Sequence, residues 1–548
     1  MTDMATPDDL LLDVQNLRIR TTAGAVLVDD VSFTLAPGEV IGLIGESGAG
    51  KSTVGLAALG HVRPGCMIAG GSIRLGGCDV LAASDRTRRS LRGREIAYVA
   101  QSAAASFNPS IRVGTQVIEA PVVAGQFGKA AGTRKAEGLF EELDLPAFGS
   151  FGRKYPHEAS GGQLQRAMAA MAMIGGPRVL VFDEPTTALD VTTQVDVLAA
   201  FRRVLREFGC AAIYITHDIA VVSQMADKII VLRGGKMVEA GATDAILANP
   251  KELYTRELVR TRRSDSTDEA ASTDAGEPVL SVRNVEATYG SHKVLHGVSV
   301  DLPPRSITAV VGESGSGKST LARCIVGLVA PSGGEIRFSG EPLAGRTTQR
   351  TALQLRRIQL IHQNPDMALN PRQTVLKTIA RPLEVFQGFK GRRVREEVAR
   401  LLAQTELSEN LIDRPTSRLS GGQKQRVCIA RALAAKPDLL ICDEVTASLD
   451  QLVADGILDL LRKLRDSASI LFISHDLGTV RRLADHLIVM KSGEIVERDT
   501  PGNIFSNPRH PYTSQLLSSV PEPRTDWLTQ VLAERAKAER GKICEDHR

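Results

Sequence analysis

Two nine-residue stretches, Gly45-Glu46-Ser47-Gly48-Ala49-Gly50-Lys51-Ser52-Thr53 and Gly312-Glu313-Ser314-Gly315-Ser316-Gly317-Lys318-Ser319-Thr320, carry the most specific chemistry in this sequence. Glycines let a backbone wrap a polyphosphate with its N–H groups, the lysine brings a positive charge to the β- and γ-phosphates, and Ser52 or Ser319 offers a hydroxyl to Mg²⁺. One such match arises by accident in roughly two of a hundred chains of this length. Two in one chain rule accident out.

A second set of groups follows each loop. Asp183 and Asp443 end fully apolar runs, Val179-Leu180-Val181-Phe182 and Leu439-Leu440-Ile441-Cys442, and each is followed by a glutamate, Glu184 or Glu444. An acid at the C-terminal end of a buried parallel strand lies in the crevice where doubly wound sheets bind ligands, so the aspartates are placed to hold Mg²⁺. The glutamates are placed to orient or deprotonate a water attacking the γ-phosphate. His217 and His475 end later apolar runs, where an imidazole could bond the γ-phosphate or that water. Gln101 and Gln363 end a run between each loop and its acids.

Positioning these groups takes strand, loop and helix twice over. Val40-Ile41-Gly42-Leu43-Ile44 enters the first loop and Val54-Gly55-Leu56-Ala57-Ala58-Leu59 leaves it; Ile307 to Val311 and Leu321 to Val326 do the same for the second. Alternating runs precede both loops (Leu12 to Arg20 and Val31 to Leu35; Leu280 to Val285 and Val298 to Leu302) and predict an antiparallel β-subdomain. Landmarks keep register: Ser160 to Asp183 and Ser420 to Asp443 are both 23 positions, and Asp183 to His217 is 34 against 32 for Asp443 to His475. The chain is one cassette written twice. The expected domains are residues 1–260 and 279–520, joined by a Ser-, Thr- and acid-rich linker at 261–278 and followed by a tail at 521–548.

Ser160-Gly161-Gly162-Gln163 and Ser420-Gly421-Gly422-Gln423 each open a helix with a capping serine, a geometry that favours an anion. At these residues the whole chain resembles two fused ATP-binding-cassette ATPase domains. The resemblance implies an α/β fold: two tandem P-loop cassettes, each a mostly parallel sheet flanked by helices, with an antiparallel β-subdomain and a helical subdomain. It implies ATP and Mg²⁺ as cofactors, with Gln101 and Gln363 sensing the γ-phosphate and sharing the metal site. It also implies that each Ser-Gly-Gly-Gln signature completes the ATP site of the opposite cassette.

The Asn-Pro endings Asn108-Pro109 and Asn370-Pro371, and the tail Asn507-Pro508-Arg509-His510-Pro511-Tyr512-Thr513, resemble the oligopeptide/dipeptide/nickel import ATPases; Asn249-Pro250-Lys251-Glu252-Leu253-Tyr254-Thr255 echoes that tail. This branch implies an ATPase at the cytoplasmic face of the membrane. Its partners would be two integral-membrane permease subunits, fed by an extracytoplasmic binding protein, and not nucleic acid. The competing reading is a soluble double-cassette ATPase acting on ribosomes or DNA. Three departures stand out. Tyr289 is placed to stack on adenine, whereas the aligned Arg20-Thr21-Thr22 has no aromatic; Ala159 begins the first signature; Val445 follows Asp443-Glu444 where Pro185 follows Asp183-Glu184. Only Cys544 follows the tail motif, so no iron–sulfur cluster is expected.

Composition fits this picture without deciding it. The 548 residues are 43% hydrophobic and 24% charged with a formal net charge of +4, ordinary for globular protein. No run is long and apolar enough to span a membrane, and the seven cysteines have neither disulfide nor zinc spacing. The arginines at 86, 88, 89, 92, 94, 346, 350, 356 and 357 read as solvated faces.

Overall fold

The apolar runs are strands buried on both sides. Val40–Ile44, Val179–Asp183 and Ala211–Ile215 are covered at every position. Their alternate side chains feed two different cores. Leu180 and Phe182 join a core shared with the helix Gly161–Met173, whereas Val179 and Val181 join one shared with the antiparallel strands and the helix Lys51–Ala58. Two apolar covers explain why these runs do not alternate.

The computed structural model describes residues 10–187, 189–263, 277–446, 449 and 451–545. They fall into two units, the described residues within 1–264 together with those within 521–548, and the described residues within 265–520. In the first unit the sheet runs Lys236–Ala242, Lys228–Arg233, Val40–Ile44, Ala211–Ile215, Val179–Asp183, Ile96–Val99, and only the Lys236–Ala242 edge is antiparallel. The second unit repeats the order with Glu494–Asp499, His486–Lys491, Ile307–Val311, Ser469–Ile473, Leu439–Asp443 and Ile358–Ile361. Each unit adds an antiparallel sheet, opened by Leu12–Thr21 or Leu280–Tyr289, and a helical region between the glutamine strand and the acid strand. The fold class matches the expectation.

Three features depart from the sequence reading. The helix Leu253–Arg263 runs three residues into the span read as linker, whose residues 264–276 lie outside those described. The tail forms a helix, Trp527–Glu545, and Trp527, Leu528 and Val531 are buried in the core of the first unit. Arg350 is not solvated: it is 8% exposed and donates to the carbonyls of Ile325 and Ala344 at 2.7 and 2.8 Å. There it answers the negative end of the helix Lys318–Val326. Arg92 similarly donates to Leu59 O and Gly60 O, just past the end of Lys51–Ala58.

Candidate functional site

Each glycine-rich loop is shaped by backbone that a side chain would obstruct. Gly45 and Gly312 have φ of 149° and 148°, and a Cβ on either would sit 2.0 or 2.1 Å from a carbonyl oxygen, that of Leu232 or Met490. Glycine is required there. The lysines lie across their own loops: Lys51 Nζ donates to Gly45 O and Glu46 O at 2.7 and 2.8 Å, and Lys318 Nζ to Gly312 O and Glu313 O at 2.8 and 2.7 Å. Helices Lys51–Ala58 and Lys318–Val326 begin at these lysines.

The acid strands meet those helix starts. Ser52 Oγ donates to Asp183 Oδ1 at 2.8 Å, and Ser319 Oγ to Asp443 Oδ1 at 3.0 Å. Hydroxyl and carboxylate oxygens are the donors a hard divalent cation prefers, so both pairs fit Mg²⁺. Asp443 is raised above its ordinary range by burial, with the neighbouring Glu444 adding and Ser319 opposing.

Beside each aspartate the backbone reverses. Glu184 and Glu444 have φ of 48° and 50°, left-handed values uncommon for a non-glycine residue, and each N–H donates to the strand carbonyl of Ile215 or Ile473. The reversal gathers three predicted groups. Gln101 Nε2 donates to Glu184 at 3.2 Å and Gln363 Nε2 to Glu444 at 2.6 Å; His217 and His475 each place Nδ1 3.4 Å from the same carboxylate. The glutamines therefore contact the glutamates, not the Ser–Asp pairs. Burial pushes both glutamates up, but His217, Lys51 and Thr187 at Glu184, and His475, Lys318 and Gln363 at Glu444, outweigh it and hold both below the ordinary carboxylate value.

The signature segments form a separate group in each unit. Ser160 Oγ accepts from Gln163 N–H while the Gln163 side chain accepts from Ser160 N–H, and Ser420 with Gln423 repeats this box. Gly162 and Gly422 lie against the following helix, where a Cβ would meet Thr193 or Val453 at 2.3 or 2.4 Å. Tyr289 ends its strand 43% exposed, and Thr21 ends the equivalent strand of the first unit.

The sequence reading missed Tyr98. Its hydroxyl donates to Asp183 Oδ2, opposite the Ser52 bond, and burial together with this bond raises its pKa. Leu360 holds the matching place in the second unit, since Tyr98 pairs with Val181 and Leu360 with Ile441, each two residues before the aspartate. An aromatic on a buried strand reads as core, so the sequence carried no signal for this role.

Comparison with known proteins bears on the whole chain. Residues 28–187 and 295–447 match the ABC transporter family, and residues 496–544 match the oligopeptide/dipeptide transporter C-terminal region. The chain is 35% identical over 566 residues to the glutathione import ATP-binding protein GsiA of Escherichia coli strain K12, covering 93% of this chain and 89% of that protein. GsiA of Shigella flexneri is 34% identical over 565 residues with the same coverage.

Proposed function

Because the chain belongs to the ABC transporter family, we propose that it is the ATP-hydrolysing subunit of an importer of short peptides, glutathione-like tripeptides among them. The observation that carries this reading is the recurrence, in both units, of a Ser–Asp pair beside a Gln–Glu–His cluster at the mouth of a glycine-rich loop. The loop N–H groups and Lys51 or Lys318 bind the triphosphate. Ser52 with Asp183, and Ser319 with Asp443, would hold Mg²⁺, which when bound offsets charge on the β- and γ-phosphates. Glu184 and Glu444, depressed in pKa and therefore ionised at neutral pH, accept a proton from the attacking water. His217 and His475 hold those carboxylates from one side, and Gln101 and Gln363 reach them with an amide N–H.

The double variant Glu184→Gln, Glu444→Gln tests these roles. It should lose turnover by at least about a hundredfold while still binding ATP; unchanged hydrolysis overturns the assignment of the bases.

The partners we propose are two integral-membrane permease subunits at the cytoplasmic face, with an extracytoplasmic binding protein delivering the cargo. No helix among the described residues is long and apolar enough to cross a membrane; in this reading membrane attachment runs through those partners. The C-terminal match and the import proteins among the relatives favour this reading over action on ribosomes or DNA. Copurification tests it: integral-membrane subunits should come with the chain, and ribosomes or DNA in their place would overturn the importer.

A further inference from the structure

The tail motif and its echo are doing the same structural task in both units. Tyr254, from Asn249-Pro250-Lys251-Glu252-Leu253-Tyr254, and Tyr512, from Asn507-Pro508-Arg509-His510-Pro511-Tyr512, are 4% and 3% exposed. The Tyr254 hydroxyl accepts the backbone N–H of Glu46 at 3.0 Å, and the Tyr512 hydroxyl accepts that of Glu313 at 2.9 Å. Glu46 and Glu313 are the second residues of the two glycine-rich loops. A contact spanning 208 residues in one unit and 199 in the other, on the same loop position, is not incidental packing.

The rest of each contact is duplicated as well. Glu239 accepts the N–H groups of Lys251 and Glu252 at 2.9 and 3.1 Å, and Glu497 those of Arg509 and His510 at 2.8 and 3.1 Å. These carboxylates fix the start of each tyrosine helix to the edge strand Lys236–Ala242 or Glu494–Asp499. The next strand inward carries a cation over the ring, Arg233 at 4.8 Å from the Tyr254 centroid and Lys491 at 4.7 Å from that of Tyr512. That strand pairs in parallel with the strand entering the loop. Loop, sheet edge and helix thus form a closed bracket, with the tyrosine hydroxyl as its last link.

We propose that Tyr254 and Tyr512 are positioning residues of the two nucleotide sites, each holding its glycine-rich loop in the phosphate-binding shape before ATP arrives. This rests on the reading of those loops as nucleotide sites. A loop held in advance spends less binding energy on ordering itself, so the benefit falls on ATP affinity and not on the chemical step. Packing alone does not need the hydroxyl, because phenylalanine fills nearly the same volume.

Tyr254→Phe, Tyr512→Phe and the double variant isolate that oxygen. Amide hydrogen exchange without nucleotide should quicken about three- to tenfold at Glu46 in the first variant and at Glu313 in the second, the loss of one hydrogen bond. The KM for ATP should rise severalfold with kcat retained, and the core strands should exchange as in the parent protein. Unchanged exchange at those amides overturns the proposal, as does faster exchange with unchanged KM, or faster exchange spread evenly through the core. The exchange measurement needs no ATP, so an unmodified protein that fails to bind ATP would refute the nucleotide reading and leave the bracket separately decided.

Discussion

At the residue scale the Glu444–His475 pair sets a pH window. Burial pulls His475 down, but the hydrogen bond and charge of Glu444 outweigh it, so its pKa lies above the ordinary 6.5. A raised histidine contributes fully below 6.5 and is lost as pH rises through the raised value; a depressed Glu444 contributes fully above its ordinary 4.5 and is lost as pH falls through the lowered value. The pair is therefore strongest from about 4.5 to 6.5 and weakens on both sides. Imidazole NMR should put His475 above 6.5, and Glu444→Gln should lower it, because burial and Lys318 are then opposed by Asp476 alone; a His475 value unmoved by that change would refute the pairing. Tyr98 supports a second prediction. Tyr98→Phe leaves Asp183 Oδ2 buried with one donor fewer, which should cost the first unit about 1–3 kcal/mol of stability in thermal unfolding without nucleotide. Serine, aspartate, glutamate and histidine were legible from type and spacing. The left-handed turn at Glu184 and Glu444 was not, since nothing in a glutamate's identity marks a positive φ.

Among the elements, the helix Trp527–Glu545 best separates what pattern reveals from what it hides. The sequence predicts a tail, yet this one docks on the first unit through a buried amide, Gln224. Its Nε2 donates to the carbonyls of Glu522 and Arg524 at 3.1 and 2.7 Å, and its Oε1 accepts the N–H of Leu528 at 3.0 Å. Among the described residues the second unit shows no such clamp. Arg482, placed after the cap Asp476 as Gln224 is after Asp218, pairs instead with Asp455 at 2.8 Å. Repetition revealed the cassettes, whereas the tail's partner depended on one residue that breaks the repetition. Trp527 is the chain's one tryptophan, so its emission reports docking directly. Gln224→Ala should unlatch the tail and shift that emission to the red at denaturant concentrations where the parent remains blue, because buried acceptors lose about 1–3 kcal/mol when their donor goes. An emission profile identical to the parent's would mean the clamp contributes nothing. Ending the chain at Val520 should destabilise the first unit further, since burying each of Trp527, Leu528 and Val531 contributes about 1.5–3 kcal/mol.

Over the whole molecule, duplication makes the two proposed sites comparable, and the departures from it predict that they are unequal. The strands Leu12–Thr21 and Leu280–Tyr289 have the same length and the same starting register, Leu12 opposite Leu35 and Leu280 opposite Leu302, so Thr21 stands where Tyr289 stands. The chemical groups, Lys, Ser, Asp, Glu, Gln and His, are present in both copies, and what differs is what surrounds them: Tyr98 against Leu360, Thr21 against Tyr289. Affinity for the base should then differ more than the capacity for hydrolysis. In a Lys318→Ala background, where the first loop is left to bind nucleotide, adding Thr21→Tyr supplies the missing aromatic face at the end of its strand. Stacking a base on such a ring contributes about 1–3 kcal/mol, so nucleotide affinity at that site should tighten at least roughly fivefold. The same background with Thr21→Val, a β-branched residue without a ring, should leave affinity where it was. If the tyrosine and the valine behave alike, the aromatic face at the end of this strand does not hold adenine, and the imbalance between the sites belongs instead to the residues around Asp183 and Asp443.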